Sequence, residues 1–262
     1  MKPIGAVSGV TDIVAEGFRR HNVALQIGGS YEREKFDLLV FWGHRQRRMI
    51  SKAKEFGIPY LVVELAYLGK RDHWISMAFN GLNGRGDFLN ASVPPDRWEK
   101  YWRQDMKPWK KGGDYALICG QVPGDAALEH VDINEFYHKA AKAARQKHGQ
   151  VYFRPHPWMP EEHRTLPGVP TLDGSLEDAL AGAKCVYTCN SNTGVDAVMA
   201  GVPVYAYDHG SMIWDIAQTD LNGELQTPDR EDWGRKISYC QWTPEEVKSG
   251  EAWAHLKRGV KR

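Results

Sequence analysis

Apolar and polar positions along this chain change period in blocks, and the changes mark its elements. Residues 23–27 and 37–41, mostly apolar and of strand length, read as strands, the second ending at Trp42-Gly43. A helical period then takes over across 45–56, with Met49, Ile50, Ala53 and Phe56 on one face. Gly57 stops that helix, Pro59 restarts the chain, and 60–65 reads as a buried strand. Residues 80–87, dense in Asn and Gly, read as loop, and 94–113 as a linker between two halves.

The second half repeats the alternation. Residues 115–119 predict a strand ending at Gly120-Gln121. Asp132 or Asn134 caps a helix over 135–148 with Phe136, Ala140, Ala143 and Ala144 as its apolar stripe. A strand at 151–153 runs into Arg154-Pro155-His156-Pro157, and a helix near 176–183 follows Gly174-Ser175. The strand 185–188 ends in Cys189-Asn190-Ser191-Asn192-Thr193-Gly194, ahead of a short helix at 195–200 and a last strand at 204–207. Beyond 229 the pattern is helical in two pieces, with Thr243-Pro244-Glu245-Glu246 as a helix start. Strands alternating with helices predict an α/β chain with parallel sheets and right-handed crossovers. Its expected parts are 1–113, 114–228, and C-terminal helices at 229–262 that pack back on both.

At 262 residues and 42% apolar content the chain has room for two such lobes. No apolar run reaches the 18 or so residues of a membrane span, and the N-terminus lacks a signal peptide's apolar core, so a cytoplasmic location is expected. The four cysteines sit in or near apolar segments and read as reduced and structural. Cys185 and Cys189 on one strand would stand about 13 Å apart, too far to share zinc, so no metal is expected. The net charge of +1 hides an asymmetry: residues 1–113 hold 19 Lys and Arg against 12 Asp and Glu, the remainder 15 against 21. A basic half suits a polyanionic partner, or a merely solvated surface.

The chemistry concentrates between 150 and 207. Two strands there end in cationic and hydroxyl donors beside a helix start whose free N–H groups favour an anion such as phosphate. Arg154-Pro155-His156-Pro157 resembles the His-Pro motif of bacterial capsule Kdo- and sialyltransferases. Ser191-Asn192-Thr193-Gly194-Val195-Asp196-Ala197, with Ala200-Gly201-Val202-Pro203-Val204, resembles their Ser/Thr turn, acid-bearing helix and G-x-P-V strand. This likeness to GT-B glycosyltransferases, over about residues 114–210, implies two Rossmann-like lobes with parallel sheets facing a cleft. It implies a nucleotide sugar as co-substrate and no other cofactor, with a first lobe on the acceptor side and a second that binds the donor. The donor contacts implied are Arg154, His156, Ser191, Asn192 and Thr193 at phosphate, Asp196 at the ribose, and Asp173 and Ser175 beside the base. Asp173 serves equally as a turn former.

A second signature, Val63-Glu64-Leu65-Ala66-Tyr67-Leu68-Gly69-Lys70-Arg71-Asp72 with Trp74-Ile75-Ser76 and Asn80-Gly81-Leu82-Asn83-Gly84-Arg85, resembles a group of phage-encoded glycosyltransferases. Tyr239-Cys240-Gln241-Trp242-Thr243 is similar to that group's tail. The resemblance implies an acceptor hydroxyl on hydroxymethylated pyrimidines of phage DNA. Transfer needs a base for the acceptor proton: Glu64 is the first candidate, with Asp72 and His73, or Asp12 and Glu16, as rivals, and His156 is counted with Glu64 and Asp72 among the catalytic candidates. Glu64 bonded to loop N–H groups is an equal structural alternative. Arg45, Arg47, Arg48, Arg71 and Arg85 are the expected DNA contacts. The Trp- and Lys-rich stretch 98–111 reads either as a stacking surface for bases or as a linker packing its tryptophans inward. A surface-polysaccharide acceptor, a nucleotide-sugar 2-epimerase and a non-catalytic nucleotide- or DNA-binding module remain alternatives. The paired acids usual in such epimerases are absent at Val195-Asp196-Ala197, which counts against that alternative.

Overall fold

A computed structural model describes residues 4–6, 12–27, 36–44 and 46–260. Two compact units emerge: residues 1–97 with 235–262, and 98–234. These breaks, at 97/98 and 234/235, lie away from the 113/114 and 228/229 boundaries expected from composition.

In the first unit, β1 (Ile4–Ala6), α1 (Asp12–Arg19), β2 (Leu25–Ile27), β3 (Leu39–Trp42), α2 (Arg47–Glu55), β4 (Tyr60–Leu65) and β5 (Ile75–Phe79) follow in order. The short helix α3 (Asp96–Tyr101) carries the chain across into the second unit. That unit runs through β6 (Tyr115–Cys119), α4 (Ile133–Lys147), β7 (Val151–Arg154), α5 (Leu176–Gly182), β8 (Ala183–Thr188), α6 (Thr193–Met199) and β9 (Val204–Ala206), and ends in α7 (Glu231–Ser238). Back in the first unit lie β10 (Gln241–Trp242), α8 (Pro244–Ser249) and α9 (Glu251–Leu256).

The first sheet has order β10-β5-β4-β3-β1-β2. Its β2, β1, β3 and β4 are parallel, whereas β5 runs antiparallel to β4 and β10 antiparallel to β5. Burial on both faces explains why β3 and most of β4 are apolar at successive positions. Leu61 and Val63 face a core with Phe18, Trp242 and Trp253, while Tyr60 and Val62 face Ile50 and Ala53 of α2. The antiparallel β5 was not expected from the sequence, nor was β10, so this sheet is mixed rather than purely parallel.

The tail has a clear structural task. Gln241, fully buried, accepts the Tyr67 and Leu68 N–H groups on Oε1 at 3.0 and 2.8 Å and donates from Nε2 to the Leu68 carbonyl at 3.2 Å. The two signature segments at 63–72 and 239–243 thus meet through one amide.

The second sheet is wholly parallel, with order β7-β6-β8-β9. Asp132 caps α4 by accepting the Asn134 and Glu135 N–H groups at 2.9 and 3.3 Å, and Phe136, Ala140, Ala143 and Ala144 bury its stripe. Trp98 and Trp102, one helical turn apart, are buried at 0% and 6% exposure, and Trp109 donates to the Pro228 carbonyl at 2.8 Å. The tryptophans of 98–111 therefore pack inward, and the base-stacking reading of that stretch falls.

Candidate functional site

The chain leaves β6 toward β7 and leaves β8 toward β9, on opposite sides of the second sheet. The crevice at which strand order reverses lies outside the carboxyl ends of β6 and β8, the place where open α/β sheets bind ligands. Arg154 ends β7, one strand to the side, and Ser191 follows β8. With β6 between them, β7 and β8 stand about 9–10 Å apart, so the Arg-His and Ser-Asn-Thr groups flank the crevice rather than sharing one loop.

Arg154 is half-buried and donates from Nη2 to the Gly174 carbonyl at 3.1 Å, while its buried Nε has no partner. That bond ties the end of β7 to the turn between Asp173 and Ser175. The Cys119 thiol, at the end of β6, is pushed up to about 12 by burial, an effect the Arg154 cation opposes and the Asp196 carboxylate reinforces. Arg154 and Asp196 are thus both within electrostatic reach of the same strand end.

His156 accepts the Trp158 N–H on Nδ1 at 3.1 Å. In the neutral ring the proton then sits on Nε2, which makes that nitrogen a donor. The imidazole is half-buried, and the fully turned-out Trp158, 82% exposed, stands edge-on to it at 5.6 Å.

The helix start differs from expectation. Thr193 N–H donates to Ser191 Oγ at 3.3 Å, Gly194 N–H to the Ser191 carbonyl at 3.0 Å, and Val195 N–H to the Asn192 carbonyl at 2.8 Å. Ser191 Oγ also donates to Thr193 Oγ1 at 3.2 Å. The turn satisfies its own N–H groups, so α6 offers no row of free donors, and the Thr193 hydroxyl, which accepts from Ser191 and keeps its own proton, is the donor that can face a ligand. Asn192 has helical backbone and makes no side-chain cap, and Asp196 is half-buried one turn further on.

Asp173 and Ser175 have structural tasks. Asp173, 80% exposed, pairs loosely with Arg164 at 3.8 Å. Ser175 caps α5, accepting the Asp178 N–H at 3.0 Å and donating to its carboxylate at 2.6 Å.

Three residues at this edge were missed. Gln121, Asn190 and Asp208 follow β6, β8 and β9, and each is less than a tenth exposed. Gln121 Nε2 donates to Asn190 Oδ1 at 2.7 Å, and Asn190 Nδ2 to Asp208 Oδ2 at 2.6 Å. A groove of about 690 Å³ also runs along α4 against the loop beyond His156, lined among others by Tyr137, Lys142, Met159 and Leu166. No expected donor residue lines it, and the switch point is better placed for chemistry. Tyr137 connects the two, its hydroxyl accepting the Gln121 N–H at 2.9 Å.

In the first unit, Glu64 sits at the end of β4 opposite Ser76, half-buried, and its Oε1 accepts the Leu65 N–H at 2.9 Å. A Cβ at Gly43 would come within 3.3 Å of Glu64 Oε2, so the glycine leaves that carboxylate room. Asp72 and His73 are exposed on a 3₁₀ turn, and Arg71 Nε donates to the Ala66 carbonyl at 2.7 Å, closing the same loop. Asp12 is exposed at the start of α1, and Glu16 pairs with Arg20 at 3.0 Å. Arg47 and Arg48 are exposed in the first turn of α2, and Arg85 is half-buried on a 3₁₀ turn. Arg45 lies outside the described residues. Among the described residues no group of three or more His, Cys, Asp or Glu is placed to hold a metal ion, and no helix is long and apolar enough to cross a membrane.

No protein-family model matches the chain, and no curated protein sequence matches it. Solved structures do. The β-Kdo 2,4-transferase of KpsC from Thermosulfurimonas dismutans aligns over 99% of this chain and 98% of its own, at 16% identity and a TM-score of 0.59. The β-Kdo 2,7-transferase of the same protein aligns over 97% and 99%, at 14% identity and a TM-score of 0.59. The likeness is one of fold: two Rossmann-like α/β units, the GT-B architecture.

Proposed function

We propose that this chain is a glycosyltransferase that moves a sugar from a nucleotide sugar to an acceptor hydroxyl, with the second unit holding the donor. The acceptor oxygen attacks the anomeric carbon, the bond from that carbon to the phosphate oxygen breaks, and the electron pair leaves with the nucleotide. The leaving phosphate needs its charge met as it forms. Arg154 and the Nε2–H of His156 on one side of the crevice, and the Thr193 hydroxyl, oriented by Ser191, on the other, supply donors without a metal ion. Asp196 holds the ribose, and Asn192, Asp173 and Ser175 line the approach. The acceptor proton goes to Glu64, or to Asp72 as the second choice.

The observation that carries this reading is the carboxyl edge of the parallel sheet, where the order reverses between β6 and β8 with Arg154 at the adjoining strand end. It favours a nucleotide ligand over a purely structural unit.

For the acceptor, the signature at 63–85 supports a hydroxymethyl pyrimidine in phage DNA, which would be flipped out of the duplex to be reached. Arg47, Arg48, Arg71 and Arg85, with Arg45, serve as its phosphate contacts, in a cytoplasmic setting. The fold likeness to the Kdo transferases supports a second acceptor, a surface polysaccharide. One experiment separates them. The protein is incubated with a panel of nucleotide sugars and either hydroxymethylated DNA or an acidic oligosaccharide, and the digested products are weighed. A gain of one sugar on the nucleoside supports DNA, and a gain on the oligosaccharide the alternative. An epimerase would instead convert the nucleotide sugar with no acceptor present. If no nucleotide sugar raises the melting temperature, the donor site is refuted, and unaltered transfer by His156→Ala and Glu64→Ala would remove those residues from the chemistry.

A further inference from the structure

Three strands of the second unit end in loops joined by one buried chain of hydrogen bonds. Beyond β6, Gln121 donates to Asn190 at 2.7 Å. Beyond β8, Asn190 spends both amide protons, one on the Ala127 carbonyl at 2.8 Å and one on Asp208 Oδ2 at 2.6 Å. Beyond β9, that same carboxylate oxygen accepts the Gly210 N–H at 3.0 Å. A carboxylate only 8% exposed persists because such bonds replace water. Here the bonds also fix the loops relative to one another. Ser191 follows directly on Asn190, so the chain of bonds holds the backbone from which its hydroxyl projects.

His209 stands at the apex of the turn that Asp208 closes. It is exposed, and its ring lies 5.3 Å from the half-buried indole of Trp214. Since β9 adjoins β8 while β7 adjoins β6, the crevice has His156 and Arg154 on one flank and His209 on the other. The edge also holds unspent capacity, because Gln121 Oε1 and Ser211 Oγ are buried without a hydrogen-bond partner. Gln121 is 6% exposed and Ser211 2%. Buried polar atoms in that state mark places that a ligand or water completes.

We propose that Asn190 and Asp208 are positioning residues for the nucleotide donor, and that His209, held by the Asp208 turn, contacts the donor's phosphate. This rests on the donor-site reading above. Imidazole N–H groups donate to phosphate oxygens, and a rigid turn removes the entropy a flexible loop would lose on binding.

The test titrates CMP, UDP and GDP into wild-type protein, His209→Ala, Asp208→Ala and Asp208→Asn by calorimetry, with unliganded melting temperature as the control. The nucleotide that binds wild type best is expected to bind His209→Ala about tenfold more weakly with melting unchanged. Asp208→Ala is expected to lose at least as much. Asp208→Asn, whose carbonyl oxygen can accept both bonds, should stay within about threefold of wild type. Wild-type affinity in both His209→Ala and Asp208→Ala overturns the proposal while leaving the donor site standing. Failure of wild type to bind any nucleotide removes the donor site, and this proposal with it. Should Asp208→Ala not fold, His209→Ala decides: unchanged affinity overturns, and a loss alongside intact Asp208→Asn supports.

Discussion

Arg97 lies over the indole of Trp242, its guanidinium carbon 4.2 Å from the ring centroid, while its terminal nitrogens close on Glu246 at 2.6 and 2.9 Å. The same guanidinium donates to the Ser238 and Gln241 carbonyls at 3.1 and 2.9 Å. One side chain at the start of α3 therefore anchors the returning tail to the first unit. Its side chain is 5% exposed and that of Glu246 11%, so neither charge has much water to fall back on. Removing one partner strands the other, and Glu246→Gln or Arg97→Met is expected to lower unfolding free energy by about 3–5 kcal/mol. Lysine at 97 is expected to be a poor substitute, because it lacks the fork that makes both bonds and the plane that stacks. Urea unfolding of the single and double variants checks this, with a double-variant loss well below the sum of the singles as the mark of a coupled pair.

Gly201, the glycine of the G-x-P-V stretch, has φ +76°, and a Cβ there would meet the Pro108 carbonyl oxygen at 2.0 Å. The close approach exists because 107–110 runs alongside, with Lys107 and Lys110 N–H groups donating to the Met199 and Gly201 carbonyls at 2.8 and 2.7 Å. Gly201→Ala combines a left-handed backbone with a clash against main chain. It is expected to cost at least about 2 kcal/mol by the same unfolding measurement. A loss well under 1 kcal/mol would mean that 107–110 yields freely.

What was legible in the residues follows from what periodicity reports. Strands 60–65 and 115–119 were read to the residue because each is an apolar run bounded by Gly or Pro, and the Thr243 capping box forms with both of its bonds. Helix α3 was hidden within an apparent linker, since Pro94-Pro95 and Pro108 bracket it and only the i, i+4 pair Trp98 and Trp102 betrays a buried face. The two-residue β10 has no pattern to detect, and its existence depends on pairing with β5, far away in sequence. The same reason hid Gln121, Asn190 and Asp208. Their bonds span 69 and 18 residues, and a buried amide looks in sequence like any loop amide. Arg154 and Ser191 stand out in sequence because one ends a strand and the other lies in the turn just beyond one. How far apart those strands lie was set by β6 inserting between them, which no local pattern encodes.

Burial pushes His148 and His255 below the ordinary imidazole value of 6.5. For His148, burial is joined by the Lys184 and Lys147 cations. For His255, burial and the Arg258 and Arg97 cations outweigh the Phe88 carbonyl bonded to its ring at 2.9 Å. Above 6.5 both rings are neutral whether the chain is folded or not, and the stability tied to them is fully present. As pH falls below 6.5, the unfolded chain takes up protons that the folded chain still refuses, so stability declines toward the lower folded-state values. Urea midpoints between about pH 7.5 and pH 5 are expected to fall, and less steeply in His148→Gln and His255→Gln. Equal slopes in wild type and both variants would assign the loss to other groups.

The DNA acceptor makes a prediction that the polysaccharide acceptor does not. Arg47 and Arg48 are exposed in the first turn of α2, with Lys52 and Lys54 exposed farther along the same helix. Among the described residues α2 is held by Ile50 and Ala53 against the sheet, on the face away from the two exposed arginines. If they serve phosphate, each contact releases bound counterions, and affinity for duplex DNA falls with salt at a slope of about 0.9 per phosphate neutralised. Arg47→Ala with Arg48→Ala is then expected to weaken binding uniformly across sequences and to reduce that slope by about 1–2. Melting temperature should hardly change, because exposed substitutions away from caps and pairs cost at most about 0.5 kcal/mol. A slope indistinguishable from wild type, measured by anisotropy across a salt series, would take the basic face of α2 out of acceptor binding. Transfer to DNA that survived the double variant in full would exclude that face equally, since a surface that binds the acceptor must affect how often it is glycosylated.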